Sequence, residues 1–230
     1  MRAEHDRRTV LADAAIELLA SGGMRALTHR GVDARAELPV GTTSAYFRTR
    51  KALITKAVRR LVELDAEDLR QVALAADGPL LAPPRTGLLG PAHLDRLADA
   101  TAGFVDHMLG PGRVRTLARY HCILETVHEP ELREILRHGD AARAQMCALL
   151  TAAGIPRARA EERARRHLAC VDGLIFDRLT ALPGSVPPPG TPESRDELRE
   201  AVRGLLEIAV AGGEPALPRG CAPRPAPQAG

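Results

Sequence analysis

The sequence predicts an all-helical protein, and three observations lead there. Aromatic residues make up only 2% of the 230-residue chain, so any core falls to Leu, Ala, Val and Ile. Ala and Leu favour helices, and the β-branched and aromatic runs typical of strands are missing. Apolar residues recur at helical spacing between Gly and Pro breaks, with no strand alternation and no internal repeat. Three short helices at a basic end, then a larger bundle, give about nine helices in total.

The first helix is read from "RRTVLADAAIELLASGG", where Leu11, Ala15 and Leu18 share a stripe broadened by Ile16 and Leu19. Gly22 and Gly23 end it. "LTHRGVDARAE" is the second, with Thr28 as N-cap and Leu27 stapled to Val32. Pro39 and Gly41 mark a tight corner, and a short third helix covers Val40 to Tyr46. Thr49 caps a long fourth helix from Arg50 to about Ala75, striped with Leu53, Ala57, Leu61 and Leu64. After a Pro/Gly-rich connection, Pro91 opens a fifth helix to about Met108, and "GPG" separates it from a sixth ending near Val127. One helix runs from Pro130 to Gly154, and another from Pro156 to about Leu182. Thr191 and Pro192 start the last, which ends near Ala211. The expected division is 1–48, 49–211 and a Pro/Gly/Ala-rich disordered tail over 212–230.

Charge is unevenly spread. Residues 1–60 carry 12 Lys+Arg against 6 Asp+Glu, whereas the rest of the chain is mildly acidic. A basic end on an acidic body fits a polyanion partner, though a solvated charge run gives the same count. The four cysteines are widely spaced without a CxxC pair, and no secretory signal opens the chain, which points to reduced thiols in the cytoplasm. No apolar run approaches membrane-span length, so no membrane partner is expected. Neither Ser/His/Asp ordering, HExxH nor a phosphate loop is present, which argues against an all-helical enzyme. No cofactor is expected.

Two short helices joined by a tight corner, the second polar and basic-flanked, form a helix-turn-helix. The third helix would enter the major groove of double-stranded DNA, with Val40, Thr42, Thr43 and Ser44 short enough to let its backbone approach base edges. Tyr46, Arg48, Arg50 and Lys51 would hold phosphates, and Thr28, His29 and Arg30 the opposite strand. Phe47 plugs the module's core. The segment from Ala12 to Leu53 resembles the DNA-binding module of the tetracycline-repressor (TetR) family through Ala14, Leu18, Gly22, Thr28, Val32, Ala36, Leu38, Gly41, Thr42, Phe47 and Leu53. Glu37, Pro39 and Ser44 depart from the family's usual Gly, Ser and Tyr; Tyr46 stands two positions beyond the missing aromatic.

The resemblance implies that the C-terminal helices enclose a small-molecule effector and pair two subunits, most often in a repressor released from a pseudo-palindromic operator. Phe104, His107, Met108, Tyr120, His121, Met146 and Phe176 are the candidate ligand contacts. Each of them also reads as plain core. Few aromatics point towards aliphatic or flexible ligands. His121, Glu125 and His128 share one helix side, but three ligands on one short helix rarely converge on an ion, so no metal is expected. Leu168, Val171, Ile175 and Leu179, with Leu198, Val202, Leu205 and Ala209, form the candidate homodimer stripes, beside a small-residue stripe of Ala169, Gly173 and Phe176. Packing within one chain would use the same stripes. A ligand-independent regulator with a filled interior is the alternative.

Overall fold

The computed structural model describes residues 2–75, 89–125, 127–137 and 139–211. Ten helices span them: α1 (Arg2–Ala26), α2 (His29–Arg35), α3 (Thr42–Tyr46), α4 (Arg50–Ala75), α5 (Pro91–Leu109), α6 (Arg113–Glu125), α7 (Pro130–Leu136), α8 (Asp140–Ala152), α9 (Arg157–Thr180) and α10 (Pro192–Ala211). Most of the Pro/Gly-rich connection, and the tail expected to be disordered, lie outside the described residues.

The capping residues act as the sequence suggests. The Gly31 N–H donates to Thr28 Oγ1 at 3.0 Å, the Ala52 N–H to Thr49 Oγ1 at 3.1 Å, and the Ser194 N–H to Thr191 Oγ1 at 3.2 Å. One expected helix is two. Arg137 (φ 40°) and Gly139 (φ 73°) adopt left-handed backbone, which ends α7 and starts α8 after a sharp turn. The apolar spacing continues across that break, so the pattern alone hides it. Helical turns also persist past Gly22 to Ala26, with Gly23 (φ 63°) as a kink inside α1.

Three apolar clusters hold the chain together. The first joins α1, α2, Phe47 and α4, and is closed by Ala118 and Cys122 from α6 and Leu132 and Leu136 from α7. The second joins the first half of α5 to α8, α9 and the second half of α10. The third joins the second half of α5 to Ile175, Leu179 and Leu198. Burial in these clusters corrects the expected dimer stripes. Ile175, Leu179, Leu198, Val202 and Ala209 are buried within one chain, because α10 packs along α5 and α9. Leu168 and Val171 pack against the same clusters, and Leu205 is half-buried. The neighbouring stripe faces outward instead: Ala169, Gly173 and Phe176 are exposed, as is Ile208 on α10.

Candidate nucleic-acid interface

The corner between α2 and α3 is organised by Asp33, which is 1% exposed. Its Oδ2 accepts from the Gly41 N–H at 2.7 Å. Its Oδ1 accepts from the Thr43 N–H at 2.6 Å and from the Thr43 hydroxyl at 2.5 Å. Gly41, the residue before α3, carries no side chain to cap it, so a carboxylate from the preceding helix satisfies the free N–H groups there. Burial by itself would raise the Asp33 pKa; the Thr43 and Gly41 hydrogen bonds and the nearby His29 outweigh it and hold the carboxyl below its ordinary value. Gly41 itself is left-handed at φ 95°. The Thr42 hydroxyl donates to the Pro39 carbonyl at 2.6 Å, closing the same turn.

This geometry divides the expected DNA-contacting residues. Val40 is 79% exposed, and Arg30, Ser44 and Arg48 are exposed. Tyr46 is half-buried, with the Arg8 guanidinium 5.5 Å over its ring. The side chains of Arg30, Ser44 and Arg48 make no hydrogen bond or ion pair with another described residue, so their polar groups are available to a ligand.

Six others are engaged within the protein, Thr42 through the Pro39 carbonyl among them, and the expectation for them is corrected accordingly. Thr43 is fully buried on Asp33. The Nε2–H of His29 donates to the Phe47 carbonyl at 2.6 Å. Arg50 donates to the carbonyls of Leu27 (2.6 Å) and Met24 (2.5 Å), fastening the α1–α2 connection to α4. Lys51 pairs with Glu131 at 2.8 Å and Glu129 at 3.6 Å. Thr28 is the α2 cap. Lys51 apart, the common cause is that a corner this short has few side chains with which to satisfy its own backbone.

Above this unit, α4, α5 and α6 are joined by ion pairs. Arg119, 6% exposed, donates through Nε to Asp65 at 2.9 Å and makes a second contact to the same carboxylate. Arg115 pairs with Asp68 at 2.9 Å, and His107 Nε2 lies 3.6 Å from that carboxylate. Sequence reading missed Asp33, Asp65, Asp68 and Arg119. For the pairs, a signal existed in the i, i+3 acids of α4 and the i, i+4 arginines of α6.

The candidate ligand residues do not form one group. Phe104 and Tyr120 pack on the third cluster with Met108, and Tyr120 meets Phe176 edge-on at 5.8 Å. Three of the five aromatic residues therefore converge, which the overall scarcity conceals. The Tyr120 hydroxyl donates to the Asp172 carbonyl at 3.2 Å, and burial pushes its pKa up to about 12. Met146 belongs to the second cluster. His121 abuts α1: a Cβ placed on Gly23 would lie 2.9 Å from its Cε1. With His128 exposed in the turn after α6, His121, Glu125 and His128 do not converge, and no group of three metal-ligating residues occurs among the described residues.

Residues 92–208, from α5 to α10, match the family model for the tetracyclin repressor-like C-terminal domain. The chain belongs to the TetR family. The chain is accordingly a helix-turn-helix DNA-binding transcriptional regulator rather than an enzyme. It is 30% identical over 171 residues to the HTH-type transcriptional regulator BetI of Burkholderia thailandensis, covering 73% of this chain and 79% of the relative. Among solved structures it is similar to the multidrug binding protein EbrR complexed with ethidium, with 28% identity, a TM-score of 0.54, and coverage of 86% of this chain and 97% of that one. A transcriptional regulator from Rhodococcus sp. Rha1 shares the fold at a TM-score of 0.64 and 24% identity, over 89% of this chain and 96% of that one. No described helix is long and apolar enough to cross a membrane.

Proposed function

We propose that this TetR-family chain is a cytoplasmic, homodimeric repressor that leaves a pseudo-palindromic operator when a small molecule binds its C-terminal bundle. The observation that carries this reading is the shared first cluster. Side chains of α6 and α7 complete the core of the DNA-binding unit, and His121 presses on the α1 kink. A ligand that shifts α6 therefore acts directly on the helices that position α3. A differential affinity of about 1–3 kcal/mol between two α6 positions weakens DNA binding roughly 5- to 150-fold.

Phe104, Tyr120 and Phe176 supply an aromatic lining for the effector, between α5, α6 and α9. EbrR is solved with ethidium and with proflavin, both polycyclic aromatics, which supports planar ligands over the aliphatic ones suggested by composition. Val40, Ser44, Tyr46, Arg30 and Arg48 form the DNA face, with backbone contacts from the arginines and base contacts from α3. The exposed Ala169 and Gly173 of α9, with the exposed Ile208 of the last helix, pair the two subunits. A two-fold axis there sets two recognition helices against two half-sites.

The test is selection of bound sequences from random duplex DNA, followed by titration of the DNA-free protein with ethidium and proflavin by dye fluorescence anisotropy and then of the complex, with an unrelated DNA-binding protein on its own site as the control for intercalation. A palindromic consensus and release by either compound is the expected result; an asymmetric monomeric footprint would sink the dimeric reading. Gly173→Arg is predicted to yield folded monomers in sedimentation, since open space surrounds a Cβ at that position. The competing reading, a constitutive regulator, is favoured by the burial of Met108 and Met146 in packed clusters. DNA affinity unchanged across a broad ligand panel would establish it.

A further inference from the structure

Thr42, Thr43 and Ser44 are the hydroxyl side chains with which α3 would read bases, and the structure withdraws two of them. Both donors of Thr43 go to Asp33, and the Thr42 hydroxyl proton goes to the Pro39 carbonyl. Ser44 is left, exposed and without a hydrogen bond to another described residue. A serine hydroxyl both donates and accepts, so it bonds either kind of base edge and discriminates little by itself.

The rest of what this corner shows to solvent is small or apolar. Pro39, Val40, Gly41 and Ala45 are exposed, Val40 to 79%. Gly41, Ser44 and Ala45, spaced i, i+3 and i+4, share the side of α3 turned away from the core, while Thr43 is turned into it. None of the three carries a long side chain, so this side can approach closely whatever it meets. In the major groove, base edges present hydrogen-bonding atoms and, on thymine, a C5-methyl group. An isopropyl group and an alanine methyl cannot bond to the former and fit the latter. A lone exposed Val is ordinary on a protein surface. Here it directly precedes the small-residue side of the helix that a helix-turn-helix lays in the groove.

We propose that Val40, with Ala45 beside it, reads thymine through the C5-methyl group, and that Ser44 anchors the same helix by a bond indifferent to base type. This rests on the DNA-binding reading of the corner and goes beyond it in naming the group recognised. Thymine then stands at the base pairs α3 meets, and apolar contact rather than hydrogen bonding tells it from cytosine there. Arg30 and Arg48 hold the backbone and carry no sequence information.

The experiment uses the full chain and the duplex it selects from random DNA. Each thymine is replaced in turn by deoxyuridine, which keeps every hydrogen-bonding atom and lacks only the methyl. At the position Val40 meets, affinity is expected to fall about 4-fold. Val40→Ala, at an exposed site, should leave the unfolding midpoint unchanged, bind the thymine duplex more weakly by a similar factor, and no longer distinguish thymine from uracil there. That coupling between one side chain and one methyl is what a double-mutant cycle measures. Ser44→Ala should weaken binding to both duplexes alike and keep the response to uracil. Tight binding that is indifferent to uracil at every thymine overturns the proposal alone, leaving the DNA-binding reading in place. So does a uracil penalty that persists undiminished in Val40→Ala. If wild type binds no duplex, the DNA-binding reading falls and takes this one with it.

Discussion

At the α2–α3 corner and at the α9–α10 corner the protein uses one device twice. Asp33 gathers the Gly41 N–H and both donors of Thr43. Asp106, on α5 and 3% exposed, accepts from the Gly190 N–H at 2.9 Å, the Ser194 hydroxyl at 3.1 Å and Arg195 Nε at 3.3 Å. Each carboxylate fastens a glycine-containing turn to the start of the next helix. The surroundings differ. Thr43 is fully buried, so neither of its donors has water to fall back on. Around Asp106, Gly190 is exposed and the Arg195 side chain is 64% exposed, leaving Ser194 as the one buried donor. An identical bond count thus conceals unequal dependence: two of the three donors at the DNA-binding corner are buried, both on Thr43, against one of three at the bundle corner.

Replacing each aspartate breaks the comparison most directly. Asp33→Ala strands buried donors at about 1–3 kcal/mol each, for a total of about 4 kcal/mol. At about 2–4 °C per kcal/mol for a chain of this size, the unfolding midpoint falls by about 12 °C. Specific DNA binding goes with it, since α3 loses its orientation. Asp106→Ala is expected to cost about 2 kcal/mol and about 6 °C, with DNA affinity of the folded protein within a few-fold of wild type. Thermal unfolding and filter binding on the two variants decide the matter. Equal losses in both would show that solvent access is not what separates the corners.

Much of the frame was legible because its punctuation is chemical. Thr28, Thr49, Thr191 and Pro91 announce helix starts through caps and a fixed φ, and these depend on neighbours in sequence alone. The α7–α8 break was harder, because Arg137 adopts a left-handed conformation that its side chain does nothing to advertise. Phase within α3 was not legible at all. Five residues are too few for periodicity to decide whether Thr43 or Ser44 points inward; Asp33, ten positions earlier, decides it. Pairing stripes failed for a related reason. Leu198 and Val202 are the most apolar line on α10, and a single chain claims such a line for its own core first, leaving the mixed line with Gly204 and Ile208 outside.

Acid sharpens the contrast further. The Asp33 carboxyl titrates below its unfolded value of about 3.9, so its contribution is fully present above that pH and is lost as pH falls through the lower folded value. The stability gap between wild type and Asp33→Asn, measured by urea unfolding, should stay constant from neutral pH to about 5 and narrow below about 4. A gap that holds unchanged to pH 3 would mean that the carboxylate's charge contributes nothing and that shape alone fastens the corner.

The smallest expected effect tests the turn rather than the carboxylate. Gly41 sits at φ 95° with nothing within 4 Å of an added Cβ, so Gly41→Ala introduces conformational strain without a clash. That strain is about 1–2 kcal/mol for an L-residue held left-handed, and Asn, which tolerates this region, should lose less. The order Gly, Asn, Ala in unfolding midpoint is therefore expected, with the Asp33 bonds intact in all three. Gly23 offers the contrast, because its φ of 63° and ψ of −162° fall in a region open to little but glycine, and an added Cβ would lie only 2.9 Å from His121. Gly23→Ala should disturb the α1–α6 contact as well and so change any ligand response, whereas Gly41→Ala should lower stability and leave that response in place. If Ala at position 41 proved neutral, the turn would have relaxed out of its left-handed conformation, and Asp33 alone would be seen to hold α3.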